Sequence, residues 1–240
     1  MSISAPLRQG HRVAALGGGA IFATSLLYFG FVYVRRWGAV ADAPADGAMA
    51  ILTNIVLFSA FALHHSVLAR SGIKTRLARV IPPAIERTVY IWIASLLFIV
   101  VCAAWRPVPG IAWEVTGIWA WWLLGAQVGG AVIGLAAGRR VDVFELAGVR
   151  EALNRPAQQA SRPTERGPYG IVRHPLYLGF LLVVWPMPVM TGTRFVFALV
   201  STVYVLVAIP FEERDLRKAF GDGYAAYVKR VRWRVLPGVY

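Results

Sequence analysis

The sequence predicts an all-α, polytopic integral membrane protein with five to six transmembrane helices. Hydrophobic residues make up 58% of the 240 residues and charged residues only 15%, whereas soluble domains contain about 25% charged residues. The apolar residues are gathered in long runs, and helices leave no backbone group of such runs unpaired in lipid. The 25 Lys and Arg residues lie mostly in short segments between these runs. They therefore indicate a membrane topology and no nucleic-acid partner.

Six apolar segments are predicted as spans of one membrane-embedded domain, residues 1–240. The first four are long enough to cross a hydrocarbon core of about 30 Å. The last two have about fifteen residues each and are predicted to form a short helical hairpin around the connection PMPVMTGT. In chain order the predicted spans are residues 13–34, 48–69, 89–105, 113–137, 176–190 and 195–209.

The distribution of positive charge predicts the orientation. The loops after the second and fourth spans carry five and seven Lys or Arg residues and the tail carries seven, whereas the loop after the third span and the hairpin turn carry one each. Because positive loops stay in the cytoplasm, both termini, the loop 138–175 and the tail 210–240 are predicted to be cytoplasmic. Within that loop, VDVFELAGVREAL predicts an amphipathic helix on the membrane surface, with a flap over a site as the alternative.

The stretch VRHPLYLGFLLVVW, Val172 to Trp185, places polar residues where a helix enters the membrane. Proline suits the first position of a helix, so Pro175 predicts a helix start with His174 at the N-cap. The free N–H groups of the first turn, with Arg173 beside them, would suit a carboxylate or phosphate. Gly179, one turn further, allows close approach of another backbone or a flat ligand. The alternative is an interfacial helix start with a snorkelling arginine.

An acidic pair follows the hairpin, because Glu212 and Glu213 emerge on the same predicted face as His174. Their carboxylates can accept hydrogen bonds from hydroxyl or amino groups, or offset a cation. The alternative is a solvated pair in which Glu213 and Arg217, four residues apart, interact on a surface helix. Hydrogen-bond donors at the predicted helix start and carboxylate acceptors on the same face of the membrane suit a zwitterionic ligand.

Two histidines, His64 and His65, precede Ser66 near the cytoplasmic end of the second span. Polar residues inside spans usually face a cavity or a partner, although either histidine can also be structural. With His174 they allow an alternative of another class, a bis-histidine haem or quinone protein. The lone Cys102 excludes thiolate clusters and disulfides within the chain, and no metal site is predicted.

The motifs resemble those of membrane methyltransferases related to isoprenylcysteine carboxyl methyltransferase. That family has the pattern Arg-His-Pro-x-Tyr-x-Gly, then Glu-Glu, then Phe-Gly-x-x-Tyr-x-x-Tyr. Upstream, LHHSVLARSGIKTRLARVIPPAIERTVYIWIASLL, WRPVPGIAW and FELAGVREAL resemble the bacterial branch that contains methanethiol S-methyltransferase and NnrU-like proteins. Where that branch often has a glutamine, this chain has His64. The similarity covers residues 50–240, and the residues that match the C-terminal pattern are Arg173, His174, Pro175, Tyr177, Gly179, Glu212, Glu213, Phe220, Gly221, Tyr224 and Tyr227.

The resemblance implies a methyltransferase of the bacterial inner membrane that uses S-adenosyl-L-methionine bound on the cytoplasmic side, with no metal. The implied acceptor is a small thiol such as methanethiol, giving dimethyl sulfide; an isoprenylcysteine carboxylate or a lipid amine is the alternative. His65 or His64 is the expected base, and Arg173 is expected to favour the thiolate. The oligomeric state is left open. The residues expected to bind the cofactor are Tyr169, His174, Pro175, Tyr177, Gly179, Glu212 and Glu213.

Overall fold

The structure is a computed structural model that describes residues 9–41, 46–68, 83–140 and 163–240. The amphipathic helix predicted at 141–153 lies outside the described residues, as does most of the positive loop after the second span. The described chain divides into two compact units. The first contains residues 9–36, 53–68 and 83–105; the second contains residues 37–41, 46–52, 106–140 and 163–240.

Helices dominate both units, which confirms the predicted fold class. Five helices among the described residues are long and apolar enough to cross a membrane; in the labels given below they are α1, α2, α3, α4 and α6. The protein is therefore an integral membrane protein. The helices are α1 Gln9–Phe31, followed by a π-helical turn Val32–Arg36, α2 Gly47–Leu68, α3 Pro83–Ala104, α4 Gly117–Arg140, α5 Pro175–Val184, α6 Gly192–Phe220 and α7 Asp222–Arg230; a 3-10 turn spans Gly167–Gly170, and the strands are β1 Ile111–Glu114 and β2 Val189–Thr191.

Aromatic side chains hold the first unit together. The Trp92 indole on α3 lies over Gly17 of α1, and its Nε1 donates to the Ala14 carbonyl at 3.0 Å. Between α2 and α3, the Phe61 and Phe98 rings are 5.2 Å apart. These ring contacts bring α1 and α2 to α3.

In the second unit, α4 and α5 approach each other through glycines. A Cβ at Gly179 would lie 2.6 Å from the Gly130 carbonyl oxygen and 2.7 Å from the Gly134 nitrogen. Such distances leave no room for a side chain, so glycine at 179 is explained by the backbone of α4. The sequence predicted that either another backbone or a flat ligand would approach Gly179 closely. The structure shows that it is the backbone of α4.

A small antiparallel sheet corrects the predicted start of the fourth span. The span was expected from residue 113, but Ile111–Glu114 form β1, which pairs with β2, and α4 begins only at Gly117. The indole of Trp113 donates to the Met187 carbonyl at 2.9 Å. The pairing brings the loop after α3 and the connection after α5 to one side, as the charge distribution predicted.

The fifth apolar segment ends earlier than expected, at Val184 instead of residue 190. Pro186 has no N–H with which to continue the helical hydrogen bonds, although Trp185 before it still has helical backbone angles. The exposed helix end is then completed from α4, where Gln127 donates to the Val183 carbonyl at 2.9 Å. This bond matters because an unpaired carbonyl is costly in lipid.

The sixth segment is longer than the predicted residues 195–209, because α6 runs from Gly192 to Phe220. The helix continues through Pro210, which removes one intrahelical hydrogen bond. The prediction placed Glu212 and Glu213 beyond the end of the last span. They lie instead inside α6. The hairpin of α5 and α6 is accordingly unequal, with ten and 29 residues.

Candidate active site at the start of α5

The segment before α5 is fixed by the C-terminal tail. Val172 forms a parallel bridge with Trp233, and the backbone N–H groups of Arg173 and His174 donate to the carbonyls of Trp233 and Arg234 at 2.9 and 2.8 Å. His174 is the N-cap of α5 and Pro175 occupies the first turn, as predicted. The tail thus sets the direction in which both polar side chains leave the backbone.

Glu213 is the centre of an ion cluster. Its side chain is 1% exposed, and Oε1 accepts a hydrogen bond from Arg173 Nε at 2.8 Å. Oε2 lies 3.2 Å from Arg217 Nη2, while Arg234 Nε and His174 Nε2 lie 3.4 and 3.5 Å from Oε1. The alternative of a solvated pair is therefore wrong for Glu213, although its predicted contact with Arg217 is present. A carboxylate surrounded by four cationic or protonatable groups stays charged despite its burial.

Arg173 connects this carboxylate to the tail. Besides the bond to Glu213, its Nη1 donates to the carbonyls of Val231 and Arg232 at 2.8 and 2.7 Å. The guanidinium is buried, with 5% of the side chain exposed. Planar guanidinium donors suit such fixed geometry, so Arg173 orders the chain around the cluster.

His174 lies between the two glutamates. Its Nδ1 is 3.5 Å from Glu212 Oε2, and its ring stacks on Tyr177 with centroids 5.6 Å apart. Burial acts to lower the pKa of His174, but the carboxylates of Glu212 and Glu213 outweigh it and raise the pKa above its usual value. Glu212 differs from Glu213 in being 45% exposed, which leaves its carboxylate accessible.

Two tyrosines of α7 close the other side of this region. Tyr227 Oη donates to the Tyr169 carbonyl at 2.8 Å, and the rings of Tyr224 and Tyr227 are 5.8 Å apart. Burial raises the pKa of the Tyr169 hydroxyl, and the nearby charge of Glu212 adds to the effect. Tyr227, the last tyrosine of the motif, therefore holds the 3-10 turn that carries Tyr169, and Tyr224 packs against Tyr227.

The predicted bases lie in the first unit. His65 Nδ1 is 2.8 Å from Tyr90 Oη, and the His64 ring stacks on the Tyr90 ring at 5.6 Å. Neither ring nitrogen of His64 has a hydrogen-bond partner among the described residues. The cofactor-site candidates belong to the second unit.

Comparisons with known proteins identify the family. A family model described as phospholipid methyltransferase matches residues 124–223. Methanethiol S-methyltransferase 2 of Bradyrhizobium diazoefficiens is 42% identical and covers 88% of this chain and 84% of its own length. Methanethiol S-methyltransferase of Mycobacterium tuberculosis is 35% identical and covers 89% of this chain and 92% of its own. The chain belongs to the methanethiol S-methyltransferase family.

The family assignment confirms the resemblance in the motifs and makes this protein a membrane methyltransferase. It decides against the haem or quinone alternative. Nurim of Xenopus laevis is a more distant relative, 26% identical over 85% of this chain and 78% of its own length. No solved structure matches the chain. The region matched by the phospholipid methyltransferase model contains every residue of the ion cluster except Arg234, and it does not contain His64 or His65.

Sequence reasoning missed the part that the methyltransferase's tail plays in the cluster. Arg234 reaches Glu213, and its Nη1 also donates to Tyr240 Oη at 3.0 Å. Val235 is buried against α5 and α6. The available signal was the alternation of basic and apolar residues in VRWRV, residues 231–235, which is typical of a paired extended segment.

Proposed function

We propose that this methyltransferase transfers a methyl group from S-adenosyl-L-methionine to methanethiol, giving dimethyl sulfide. The observation that supports the donor is the ion cluster at the start of α5, which combines exposed acidic and basic groups around a helix N-terminus. The support for the acceptor is the naming of relatives at 35–42% identity as methanethiol S-methyltransferases. The phospholipid methyltransferase match keeps a lipid amine as the alternative acceptor.

The residues of the cluster fit a zwitterionic donor. The half-exposed Glu212 supplies an acceptor for an amino group or ribose hydroxyls, while Arg217, which is 54% exposed, supplies a cation for a carboxylate. Buried polar atoms without a hydrogen-bond partner among the described residues include His174 Nε2, Tyr224 Oη and Arg234 Nε. Glu213 is surrounded by cations. We propose that it supports donor binding indirectly, by holding these groups in place.

Pro175, Tyr177 and Gly179 support the same site from α5. Pro175 starts the helix whose first-turn N–H groups favour anions. Tyr177 fixes the His174 ring by stacking, and Gly179 fixes α5 against α4. Tyr169 is proposed to contribute its ring to the cofactor pocket.

The bound donor would supply an electrophilic methyl group carried on a sulfonium sulfur. The protein must orient the thiol and remove its proton, because the thiolate is the nucleophile. We propose that the S–H proton passes to an imidazole nitrogen of His65 or His64. Because Arg173 is bound to Glu213 and two tail carbonyls, we now assign it to ordering the site instead of contacting the thiolate.

The proposed location is the inner membrane of a bacterium, with the cluster and both termini facing the cytoplasm. The positive-inside bias of the loops supports this orientation. The described part of the second unit agrees with it, because β1 and β2 lie at the ends of α4 and α5 that are remote from the cluster.

The test uses the purified chain in detergent with methyl-labelled S-adenosyl-L-methionine. We expect labelled dimethyl sulfide in the headspace with methanethiol, and no label in phosphatidylethanolamine or a farnesylcysteine carboxylate. Label in the lipid instead would overturn the thiol assignment. By calorimetry, Glu212→Gln should weaken donor affinity about 10- to 100-fold, as expected for one lost hydrogen bond to a charged group; unchanged affinity would remove Glu212 from the site.

A further inference from the structure

We infer that Arg234 is a second binding residue for the carboxylate of the methyl donor, and that Tyr240 is a positioning residue that holds the Arg234 guanidinium in place. This inference rests on the proposed donor, S-adenosyl-L-methionine. It is carried by the contacts of one arginine in the C-terminal tail, which lies outside residues 124–223 of the family match.

The backbone of Arg234 is fixed at the start of α5. Its carbonyl accepts a hydrogen bond from the His174 N–H at 2.8 Å, and His174 is the N-cap of α5. The Arg234 side chain therefore leaves the tail beside the positive end of this helix, where an anion is favoured.

Tyr240 closes the tail on Arg234. The backbone oxygen of Tyr240 accepts from the N–H groups of Arg234 and Val235 at 2.9 and 2.8 Å, and its side chain packs against the core cluster that contains Val235. The Tyr240 hydroxyl oxygen accepts from Arg234 Nη1 at 3.0 Å, and Arg234 Cζ lies 5.0 Å from the ring centroid. These contacts restrict a side chain that otherwise has many rotamers.

The contact with Glu213 does not satisfy the Arg234 guanidinium. Arg234 Nε lies 3.4 Å from Glu213 Oε1, but this buried nitrogen makes no hydrogen bond to any described residue. Arg173 Nε, in contrast, donates to the same oxygen at 2.8 Å. A buried donor without a partner is costly, so an ion pair with Glu213 does not by itself explain where the Arg234 guanidinium lies.

The position that Tyr240 imposes leaves part of the guanidinium available to a ligand. Arg234 Nη1 is bound to Tyr240, whereas Nη2 has no hydrogen-bond partner in the described part of the chain. The side chain is 32% exposed. A guanidinium that is held on one edge and open on another is pre-organised for a carboxylate.

The charge of the ion cluster also favours an anionic ligand. The guanidinium groups of Arg173, Arg217 and Arg234 surround one buried carboxylate, that of Glu213. Even with Glu212 counted, the cations exceed the carboxylates by one charge. Arg173 is buried, so the excess positive charge is accessible on the other two arginines, which are 54% and 32% exposed.

Arg217 has a similar arrangement on the other side of Glu213. Its Nη2 lies 3.2 Å from Oε2, and its Cζ lies 6.0 Å from the centroid of the Tyr224 ring. The two exposed arginines therefore flank one carboxylate, and each has a tyrosine ring against it. Arg234 adds a second cation to the one already proposed for the donor.

The test compares two donors that differ only in this carboxylate, S-adenosyl-L-methionine and its decarboxylated form, by calorimetry on the full chain in detergent. The unaltered protein should bind the complete donor at least about 10-fold more tightly. Equal affinities would overturn the inference without any variant having to fold. Failure to bind either donor would instead refute the proposed donor, and the inference with it.

Arg234→Gln should weaken binding of the complete donor about 10- to 100-fold and change the affinity for the decarboxylated donor by less than about threefold. Retained binding of the decarboxylated donor also shows that the variant is folded. The matched control is Arg232→Gln, which removes the same charge from an exposed side chain of the same tail and should change neither affinity. An equal loss for both donors, or no loss for either, would overturn the role of Arg234.

Tyr240→Phe tests the positioning role, because it keeps the ring and removes the acceptor of Arg234 Nη1. It should weaken binding of the complete donor about 2- to 10-fold. The change should have no further effect when Arg234 is already glutamine, since Tyr240 acts through Arg234. Additive effects in the double variant would refute the positioning role of Tyr240.

Discussion

Replacing Glu213 by glutamine removes the negative charge at the centre of the ion cluster while keeping the size of the side chain. Arg173 would remain buried, with 5% of its side chain exposed, and would retain its bonds to two tail carbonyls. Breaking a buried ion pair on one side costs about 3–5 kcal/mol. Because glutamine Oε1 can still accept from Arg173 Nε, we expect about 3 kcal/mol, the lower end of that range.

The matched control is the same change at the neighbouring position, Glu212→Gln. Its side chain is 45% exposed and its contact with His174 is 3.5 Å, so we expect about 0–1 kcal/mol. Reversible unfolding in mixed detergent micelles measures both values. A double variant with Arg173→Gln should lose less than the sum of the single variants, because the two side chains interact directly. Equal effects of Glu213→Gln and Glu212→Gln would refute the buried cluster as a source of stability.

Two further predictions concern packing and pH. Gly179→Ala should destabilise the protein by about 1–3 kcal/mol through overpacking against α4. The control is Gly129→Ala, where a Cβ would meet nothing within 4 Å; it should be neutral or stabilise the protein by up to about 1 kcal/mol. Similar melting temperatures for both variants would contradict the close contact between α4 and α5. The surroundings of His174 in the folded state raise its pKa. The contribution of His174 to the free energy of unfolding should therefore be complete below about pH 6.5 and lost as the pH rises through the folded-state pKa. The stability difference between the unaltered protein and His174→Gln should therefore shrink from pH 6 to pH 9, and a difference that grew with pH would show the opposite shift.

The sequence predicted the membrane class and the start of α5 because both depend on local chemistry. A charge-free apolar run and an X-Pro helix start need no distant partner to be recognised. The predicted ends of the hairpin helices α5 and α6 were wrong because the actual ends depend on distant partners. The end of α5 depends on Gln127 of α4, and the continuation of α6 past Pro210 places Glu213 among cations from two other segments, the start of α5 and the tail.

The difference in burial between Glu212 and Glu213 also could not be predicted from the sequence. Adjacent residues on a helix point about 100° apart, so one of Glu212 and Glu213 had to be more buried, but the identity of that residue depends on the register of α6 against α5. The tail contributed the remaining information. Nothing local to Arg234 shows that it meets a carboxylate on α6, because the contact requires the parallel bridge between Val172 and Trp233.

The register of the hairpin supports the proposed position of the cluster at the boundary of the membrane. Trp185 Nε1 donates to Thr202 Oγ1 at 2.8 Å, and eleven residues from each of these positions His174 meets Glu213, so α5 and α6 run antiparallel at constant register. Glu213 lies about 30 Å along α6 from Gly192 at 1.5 Å per residue, which equals the thickness of the hydrocarbon core. Since β2 ends where α6 begins, α6 is long enough for the buried carboxylate to lie at the membrane surface opposite β2. A site at that depth would meet water on one side, which suits the proposed charged nucleoside donor, and hydrocarbon on the other, which suits the proposed small apolar thiol.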